Sequence, residues 1–381
     1  MADLGEIVRA EFGEYVRSRF ATPHQRKAMC DIAGCRTISM GSVSIACEQC
    51  HGEYRLYRSC RNRSCPSCQN EAQHVWVEAR QAEILPVEYL HVVFNVPAHL
   101  NVVAQYCPEP LYDAVIRAAG QAVIDVGRSE LQIHLGCHAH LQTWTQLMAF
   151  LVHVHCVVPC GGFSVNGSEW MSFEPDDLPA EALSRRFREL LCKNIRAAAR
   201  NGEFDCLSET VSIEHLLAQL MKRPWRVYSK PPFGGAEKLF EYLGRYTHRV
   251  AITNDRIDSY ANHQVTFRWR ESGKGSVEKP CTLDAQEFVR RFVKHVPPRG
   301  FVRIRSYGFL ANRNRKQNIE RARRLIGRVG PSQTREPFRP RRLCPACARR
   351  DETTLHFVPS SDVSPQFALS VRPPPISPFA A

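Results

Sequence analysis

Apolar positions along the chain switch between two periods, and the switches divide it into elements. Over residues 5–33, Ile7, Val8, Phe12, Val16 and Phe20 recur at the three-to-four spacing of one helix face, and Pro23 breaks the run. A cysteine-rich segment follows, after which residues 69–83 (QNEAQHVWVEARQAE) return to a helical pattern. From residue 88 the period shortens. EYLHVVFNVP predicts a strand ended by Pro97, and PEPLYDAVIRAAGQAVIDVG a helix ended by Gly127. HLQTWTQLMAF and VHVHCVV predict two neighbouring strands joined by a tight connection. Helices are predicted over 178–200 and 211–222, over AEKLFEYLGRYTHRV after the loop SKPPFGG, and over DAQEFVRRFVKHV, with short strands at RIDSYA and QVTFRWRE. Strands and helices mixed without strict βαβ alternation imply an α+β fold with a largely antiparallel sheet. Beyond Phe357 the sequence is Pro- and Ser-rich and is expected to be disordered. No internal repeat is visible.

Charge narrows the partner. Lys and Arg total 51 against 38 Asp and Glu, a net charge of +13, which favours a polyanion and predicts salt-sensitive binding. Nucleic acid is the expected partner, with an anionic membrane surface as the competitor. No apolar run reaches the roughly twenty residues of a membrane span, and the start MADLGEIVRAEFGEYVRSRF is acidic where a signal peptide would be basic and then apolar. A cytoplasmic location is therefore expected. Sixteen cysteines would make a poor disulfide framework in a reducing compartment, and their clustering points to metal thiolates instead.

Five constellations carry candidate chemistry. In 151-LVHVHCVVPCGG-162, alternation along a strand puts His153 and His155 side by side on one face, where they could be packed core histidines or two ligands of one metal. The knuckles 47-CEQC-50 and 65-CPSC-68 offer Cys47, Cys50, Cys65 and Cys68 as a closed four-thiolate zinc site, with Cys60 and Cys35 as competing ligands. In 239-LFEYLGRYTHRV-250, Tyr242 and Tyr246 share a helix face, usually a core pattern, beside the cations Arg245, His248 and Arg249. The basic run from Arg291 to Arg328, which includes Arg303, Arg305, Arg313 and Arg315 with Tyr307, Phe309 and Asn314 between charges, suits a DNA-tracking surface. A late pair, 343-LCPACARR-350, gives Cys344 and Cys347 as half a zinc site.

Taken in order, SCRNRSCPSC, YLHVVFNVP, LQTWTQLMAFLVHVHCVVPCGG, KPPFGG with EYLGRYTHRVAI, and FVRIRSYGFLANRNR resemble the rolling-circle transposases of the insertion-sequence 91 family, from about residue 24 to about 348. These are single-strand DNA nucleases of the HUH class, named for two histidines flanking a hydrophobic residue. The resemblance implies an antiparallel-sheet HUH nuclease core flanked by helices, plus a small amino-terminal zinc-knuckle domain. It implies that His153 and His155 hold Mg2+ or Mn2+ with a third side chain, for which Gln146 is the expected residue. It also implies Tyr246 and Tyr242 as nucleophiles that form a 5′-phosphotyrosine with single-stranded DNA at transposon ends. The expected organisation is a helical and zinc-binding domain over 1–84, a catalytic domain with a basic DNA-binding segment over 85–334, a CxxC segment over 335–357 and a disordered tail over 358–381. The chain departs from the family pattern at Leu151-Val152, where another histidine is common, and at Ser64, also commonly histidine. Two alternatives remain open at this level: a zinc-ribbon DNA-binding protein without catalysis, and a replication initiator or relaxase sharing the nuclease core.

Overall fold

The computed structural model describes residues 2–47, 50–207, 212–222, 225–231, 235–247, 251–270, 277–327 and 355–358, by backbone alone at 45, 70, 71, 206, 242, 245–247 and 355–358. The amino-terminal part holds helices α1 (Leu4–Ser18) and α2 (Pro23–Gly34), strands β1 (Ser42–Cys47) and β2 (Glu53–Tyr57), and α3 (Gln69–Gln81). The middle runs through β3 (Tyr89–Asn95), α4 (Leu100–Tyr106), α5 (Pro108–Leu131), β4 (Ile133–His134), β5 (Gly136–Trp144), β6 (Phe150–Pro159), β7 (Gly161–Ser164) and β8 (Trp170–Ser172). Helices α6 (Ala180–Arg200) and α7 (Ile213–Met221), strand β9 (Val227–Lys230) and helix α8 (Gly235–Thr247) come next. The last third holds β10 (Ile257–Ala261), β11 (Gln264–Arg270), β12 (Glu278–Asp284), α9 (Ala285–Lys294), β13 (Ile304–Gly308), α10 (Arg315–Ile326) and β14 (Leu355–Val358). This is an α+β fold, as the patterning implies.

The chain divides into two compact units, one of residues 1–35 and 60–340, the other of 36–59 and 341–381. In the larger unit, α1 and α2 share an apolar core with β10, β11 and α9, formed by Ile7, Met29, Ile257, Phe267, Phe288 and Phe292 among others. Its central sheet has the order β13-β5-β6-β3-β9, every neighbouring pair antiparallel. One face of its three central strands is apolar: Leu90, Val92 and Phe94 of β3, Cys137, Ala139 and Leu141 of β5 and Val152, Val154, Cys156 and Val158 of β6 pack into a core with α5 and α6. Strict alternation then turns His91, His153 and His155 to the other face. That opposite face carries the site. The smaller unit is a three-stranded sheet of order β14-β1-β2.

Three expectations shift. The expected strand HLQTWTQLMAF ends at Trp144, because Thr145 closes a turn: its backbone N–H donates to Ala149 O at 3.0 Å and its hydroxyl accepts from Ala149 N at 3.2 Å. Helix α5 runs past Gly127 to Leu131. Gly127 is there for packing, since a Cβ would lie 2.4 Å from the Leu135 side chain, and the helix ends where Gln132 takes the left-handed conformation. Strand β12 was not anticipated because Pro280 interrupts its pattern, yet β12 is the edge strand of the β10-β11-β12 sheet, where proline is tolerated. The Pro- and Ser-rich tail beyond Val358 lies outside the described residues.

Candidate metal and nucleic-acid site

Register assembles the histidines. Strands β5 and β6 pair His140 with His155 and Gln142 with His153, and β3 pairs Val93 with His155 and Asn95 with His153. On the face away from the apolar core these strands therefore display His138, His140 and Gln142 beside His153 and His155, flanked by His91. Gln142 directs its Oε1 between the two imidazoles, 3.2 Å from Nε2 of His153 and 3.2 Å from Nε2 of His155. All three side chains are buried.

Hydrogen bonds on the far ring nitrogens set the tautomers. His153 Nδ1 stands 3.0 Å from Leu151 O, and a carbonyl can only accept, so Nδ1 carries the proton and Nε2 presents a lone pair. His155 Nδ1 stands 2.8 Å from His91 Nε2, and the rings stack with centroids 5.0 Å apart. With His91 accepting, His155 also presents its Nε2 lone pair toward Gln142. Burial, reinforced by the neighbouring imidazoles, keeps His155 neutral far below the usual histidine range; burial also lowers His153, and burial followed by the charge of His153 lowers His91 to about 4. Neutral imidazoles are the form that binds metal.

The donor set suits a divalent cation. The Gln142 oxygen faces a lone pair on His153 Nε2, while its own Nε2 is buried with no hydrogen-bond partner among the described residues. An amide serving only the sheet would turn its N–H toward the imidazole lone pairs; an oxygen turned there fits a cation between the three atoms. The glutamine expected from the sequence at this place is Gln146. Gln146 lines the same cleft but sits beyond the end of β5 in the turn before β6, whereas Gln142 is the direct cross-strand neighbour of His153. The other H-x-H pair shares the face: His138 Nδ1 is 2.8 Å from Ser306 Oγ, and His140 meets the Trp76 ring edge-on at 5.2 Å.

Outside the imidazoles opens a cleft of about 390 Å3, lined by Asn95, Trp144, Tyr228, Arg256, Trp269 and Arg270 as well as by Gln142, His153 and His155. Aromatic faces alternate there with guanidinium groups, a surface that can stack bases and neutralise phosphates. Arg256 is held by donating to Gln146 O at 2.5 Å and to Arg268 O at 2.8 Å, and Arg270 pairs with Glu278 at 2.8 Å. Composition alone gave no signal for these residues, because they come from five separate segments.

Helix α8 lies on the histidine-bearing face. Leu239, Phe240 and Leu243 pack on Tyr89 of β3 and Val157 of β6, and the Phe240 ring meets His138 at 6.0 Å. The backbone puts Tyr242 and Tyr246 in this helix. Their side chains and that of Arg245 lie outside the described residues, as do His248 and Arg249.

The basic run is mostly used within the fold. Arg305 pairs with Asp113 at 2.5 Å and stacks on Phe301, and Arg315 pairs with Glu83 at 3.0 Å. Burial, followed by repulsion from Arg63, lowers Arg303 to about 10. Of the four arginines singled out there, Arg313 is exposed. At Arg305 and Arg315, acids distant in sequence neutralise charges that look free along the chain.

A second group of ligands lies near α2 and α3. The sulfurs of Cys35, Cys60, Cys65 and Cys68 all fall within 4.8 Å of one another, with Cys35 to Cys68 at 3.4 Å and Cys60 to Cys68 at 3.6 Å. A tetrahedral zinc with Zn–S near 2.3 Å requires sulfur edges of about 3.8 Å, so the four thiols fit. Their protonation is interlocked: hydrogen bonds from Cys60 and Cys65 hold Cys68 far below the thiol range, while Cys65 is pushed far above it by its bonds to Cys60 and Cys68 and by burial. Cys60, lowered by Cys65 but raised more by Cys68 and burial, reaches about 12. Four thiolates can share this space only around a cation. The expected set of Cys47, Cys50, Cys65 and Cys68 is thus corrected: Cys35 and Cys60, the competing candidates, complete the group with Cys65 and Cys68. Cys47 and Cys50 belong to the smaller unit. Cys344 and Cys347 lie outside the described residues.

Known proteins with related sequences fall in one group. Residues 136–318 match a family described as "Putative transposase", and residues 7–96 match a "Transposase zinc-binding domain". A "Putative transposase y4qJ" of Sinorhizobium fredii (strain NBRC 101917 / NGR234) is 37% identical over 379 residues, covering 93% of this chain and 95% of that protein. The "Transposase for insertion sequence element IS801" of Pseudomonas savastanoi pv. phaseolicola is 25% identical over 312 residues, covering 79% of this chain and 73% of that protein. No solved structure matches the chain. Among the described residues, no helix is long and apolar enough to cross a membrane.

Proposed function

Given that the chain belongs to the insertion-sequence 91 family of transposases, DNA-processing enzymes with a structural zinc-binding domain, we propose that it cuts and rejoins single-stranded DNA at transposon ends through a covalent 5′-phosphotyrosine, the rolling-circle route. The observation that carries this reading is the convergence of Gln142 Oε1 on the Nε2 atoms of His153 and His155, 3.2 Å from each. A Mg2+ or Mn2+ held by these three neutral donors would keep its full charge for the scissile phosphate and act as a Lewis acid on a non-bridging oxygen.

The remaining work falls to this chain's own groups. Trp269 and Tyr228 would stack bases of the single strand in the cleft, and Arg256 and Arg270 would face its phosphates. In this reading Tyr246 attacks the phosphorus, and Tyr242 lies one turn earlier in α8. The tyrosine Oη forms the new bond to phosphorus, its proton passes to solvent, and the P–O3′ bond breaks to leave a free 3′-OH. The phosphoester energy is kept, so a 3′-OH can attack the phosphotyrosine and release the tyrosine without ATP. The second tyrosine serves the second strand transfer.

A labelled single-stranded oligonucleotide from the element's end, incubated with the protein and Mn2+, tests this. A covalent adduct should survive denaturing electrophoresis and disappear in His153→Ala and in at least one of Tyr246→Phe and Tyr242→Phe. Tight binding without an adduct under any divalent metal would leave a DNA-binding protein without this chemistry.

A further inference from the structure

The cleft beside the histidines continues past Tyr228. That ring, half exposed, lines the cleft and also a second groove of about 590 Å3, whose walls come from α6 and from β9 with the two residues before it. Arg185, Arg188 and Arg226 line this groove, against one acid among the described residues, Glu181. Its floor is fixed. Ser184 Oγ donates to Trp225 O at 2.5 Å, Trp225 Nε1 donates to Leu220 O at 3.1 Å, and the buried Trp225 ring meets Phe187 edge-on at 5.4 Å.

Strand β9 is an edge of the central sheet, and its alternation leaves one face ready for a ligand. Arg226, Tyr228 and Lys230 are exposed, while Val227 and Ser229 between them are half-buried. Val227 pairs with Phe94 of the apolar core, whereas Tyr228 pairs with Val93, the cross-strand neighbour of His155, and Lys230 pairs with His91. Tyr228 and Lys230 therefore stand on the histidine-bearing face, and alternation carries Arg226 to the same side. Cation, aromatic ring and cation follow one another at intervals of about 6.6 Å. A base of an extended single strand can stack on the ring while the phosphates on either side of it meet the cations. A duplex, with its bases already stacked and paired, offers the ring nothing.

Charged residues on a helix surface are most often solvated or paired. On α6, Arg186 pairs with Asp125 at 2.7 Å and Arg196 with Glu214 at 3.1 Å. Arg185 and Arg226, exposed in the groove, form no ion pair among the described residues. Their charge is left for a polyanion.

We infer that single-stranded DNA in the metal cleft continues along the β9 edge into the α6 groove, with a base on Tyr228 and phosphates at Lys230, Arg226 and Arg185. The groove grips nucleotides that are not themselves cut. This inference rests on the nuclease reading, which places the strand in the cleft.

Binding of a labelled oligothymidine to the full-length chain, followed by fluorescence anisotropy against salt, tests the path. Each phosphate contact to a single strand contributes about 0.7 to the slope of log K against log salt, so Arg185→Ala/Arg226→Ala should lower the slope by about 1.4. Arg185→Lys/Arg226→Lys keeps both charges and should keep the slope. Arg186→Ala/Arg196→Ala removes the same net charge from ion-paired positions and should also keep it. An unchanged slope in Arg185→Ala/Arg226→Ala, an equal fall in Arg186→Ala/Arg196→Ala, or a matching fall with duplex DNA would overturn the path. A covalent adduct formed by the wild type in the same preparation would show that the nuclease reading survives that result, whereas a wild type that binds no single strand would overturn both.

Discussion

His91 decides which nitrogen of His155 carries the proton, and replacing it separates a metal centre from a set of buried histidines. With Nδ1 of His155 2.8 Å from His91 Nε2, His155 can present a lone pair at Nε2 only if Nδ1 donates and His91 accepts. In His91→Leu the donor loses its acceptor. The chain must then leave a buried N–H unpaired, at about 1–3 kcal/mol, or move the proton to Nε2, where it donates to Gln142 Oε1 and blocks the metal position. Either response charges the loss to metal binding. Partners that orient metal-bound histidines in this way are worth about 10–100-fold in affinity, and each factor of ten corresponds to about 1.4 kcal/mol, so the two routes to the magnitude agree. Mn2+ affinity of the full chain, followed by the electron paramagnetic resonance signal of free Mn2+, should fall at least about tenfold in His91→Leu. His91→Gln retains a side-chain oxygen that can accept and should recover most of the loss, and His153→Ala sets the floor. Mn2+ affinity in His91→Leu within twofold of wild type would refute the tautomer argument; no Mn2+ binding in the wild type would instead remove the metal site itself.

The glutamines give a sharper contrast, since Gln142→Ala should abolish Mn2+-dependent adduct formation while Gln146→Ala should leave most of it; the reverse order would restore the sequence-based assignment. DNA binding should divide the arginines: Arg313→Ala should reduce the salt slope of single-strand binding by about 0.7, whereas Arg305→Ala should chiefly lower thermal stability because it removes one of the two ion pairs of Asp113, which keeps Arg117 at 2.7 Å, and the stacking on Phe301, and a slope change in Arg305→Ala alone would contradict this. His295 is buried, donates from Nε2 to Met148 O at 3.0 Å and accepts from the Thr143 hydroxyl at 3.1 Å, and burial lowers it to about 4. The unfolded chain takes up this proton near pH 6.5 and the folded chain does not, so the stabilisation is complete above pH 6.5 and is lost as pH falls toward 4, by about 3 kcal/mol over that window at about 1.36 kcal/mol per unit. Denaturant midpoints of His295→Gln should be flatter across that window than those of the wild type, and parallel curves would contradict the assignment.

What the sequence made legible, and what it did not, follows from whether a contact is local or set by register. Alternation along residues 151–158 is a property of one strand, so the shared face of His153 and His155 could be read directly. The residue facing His153 across the sheet could not. It depends on where β5 ends, and a turn begun by Thr145 leaves Gln142 rather than Gln146 as the cross-strand partner of His153. His91 was invisible for a related reason: it reads as one more residue in an apolar strand until β3 is placed beside β6. The cysteines follow the same logic at longer range. Two C-x-x-C pairs close together in sequence suggest one site, but a pair specifies only half of a tetrahedron, and the other half is chosen by the fold. Cys35, at the end of α2, and Cys60 reach Cys65 and Cys68 because Asn62 donates to Asp31 at 2.9 Å and Cys60 N to Cys35 Sγ at 3.5 Å, folding that loop back on α2.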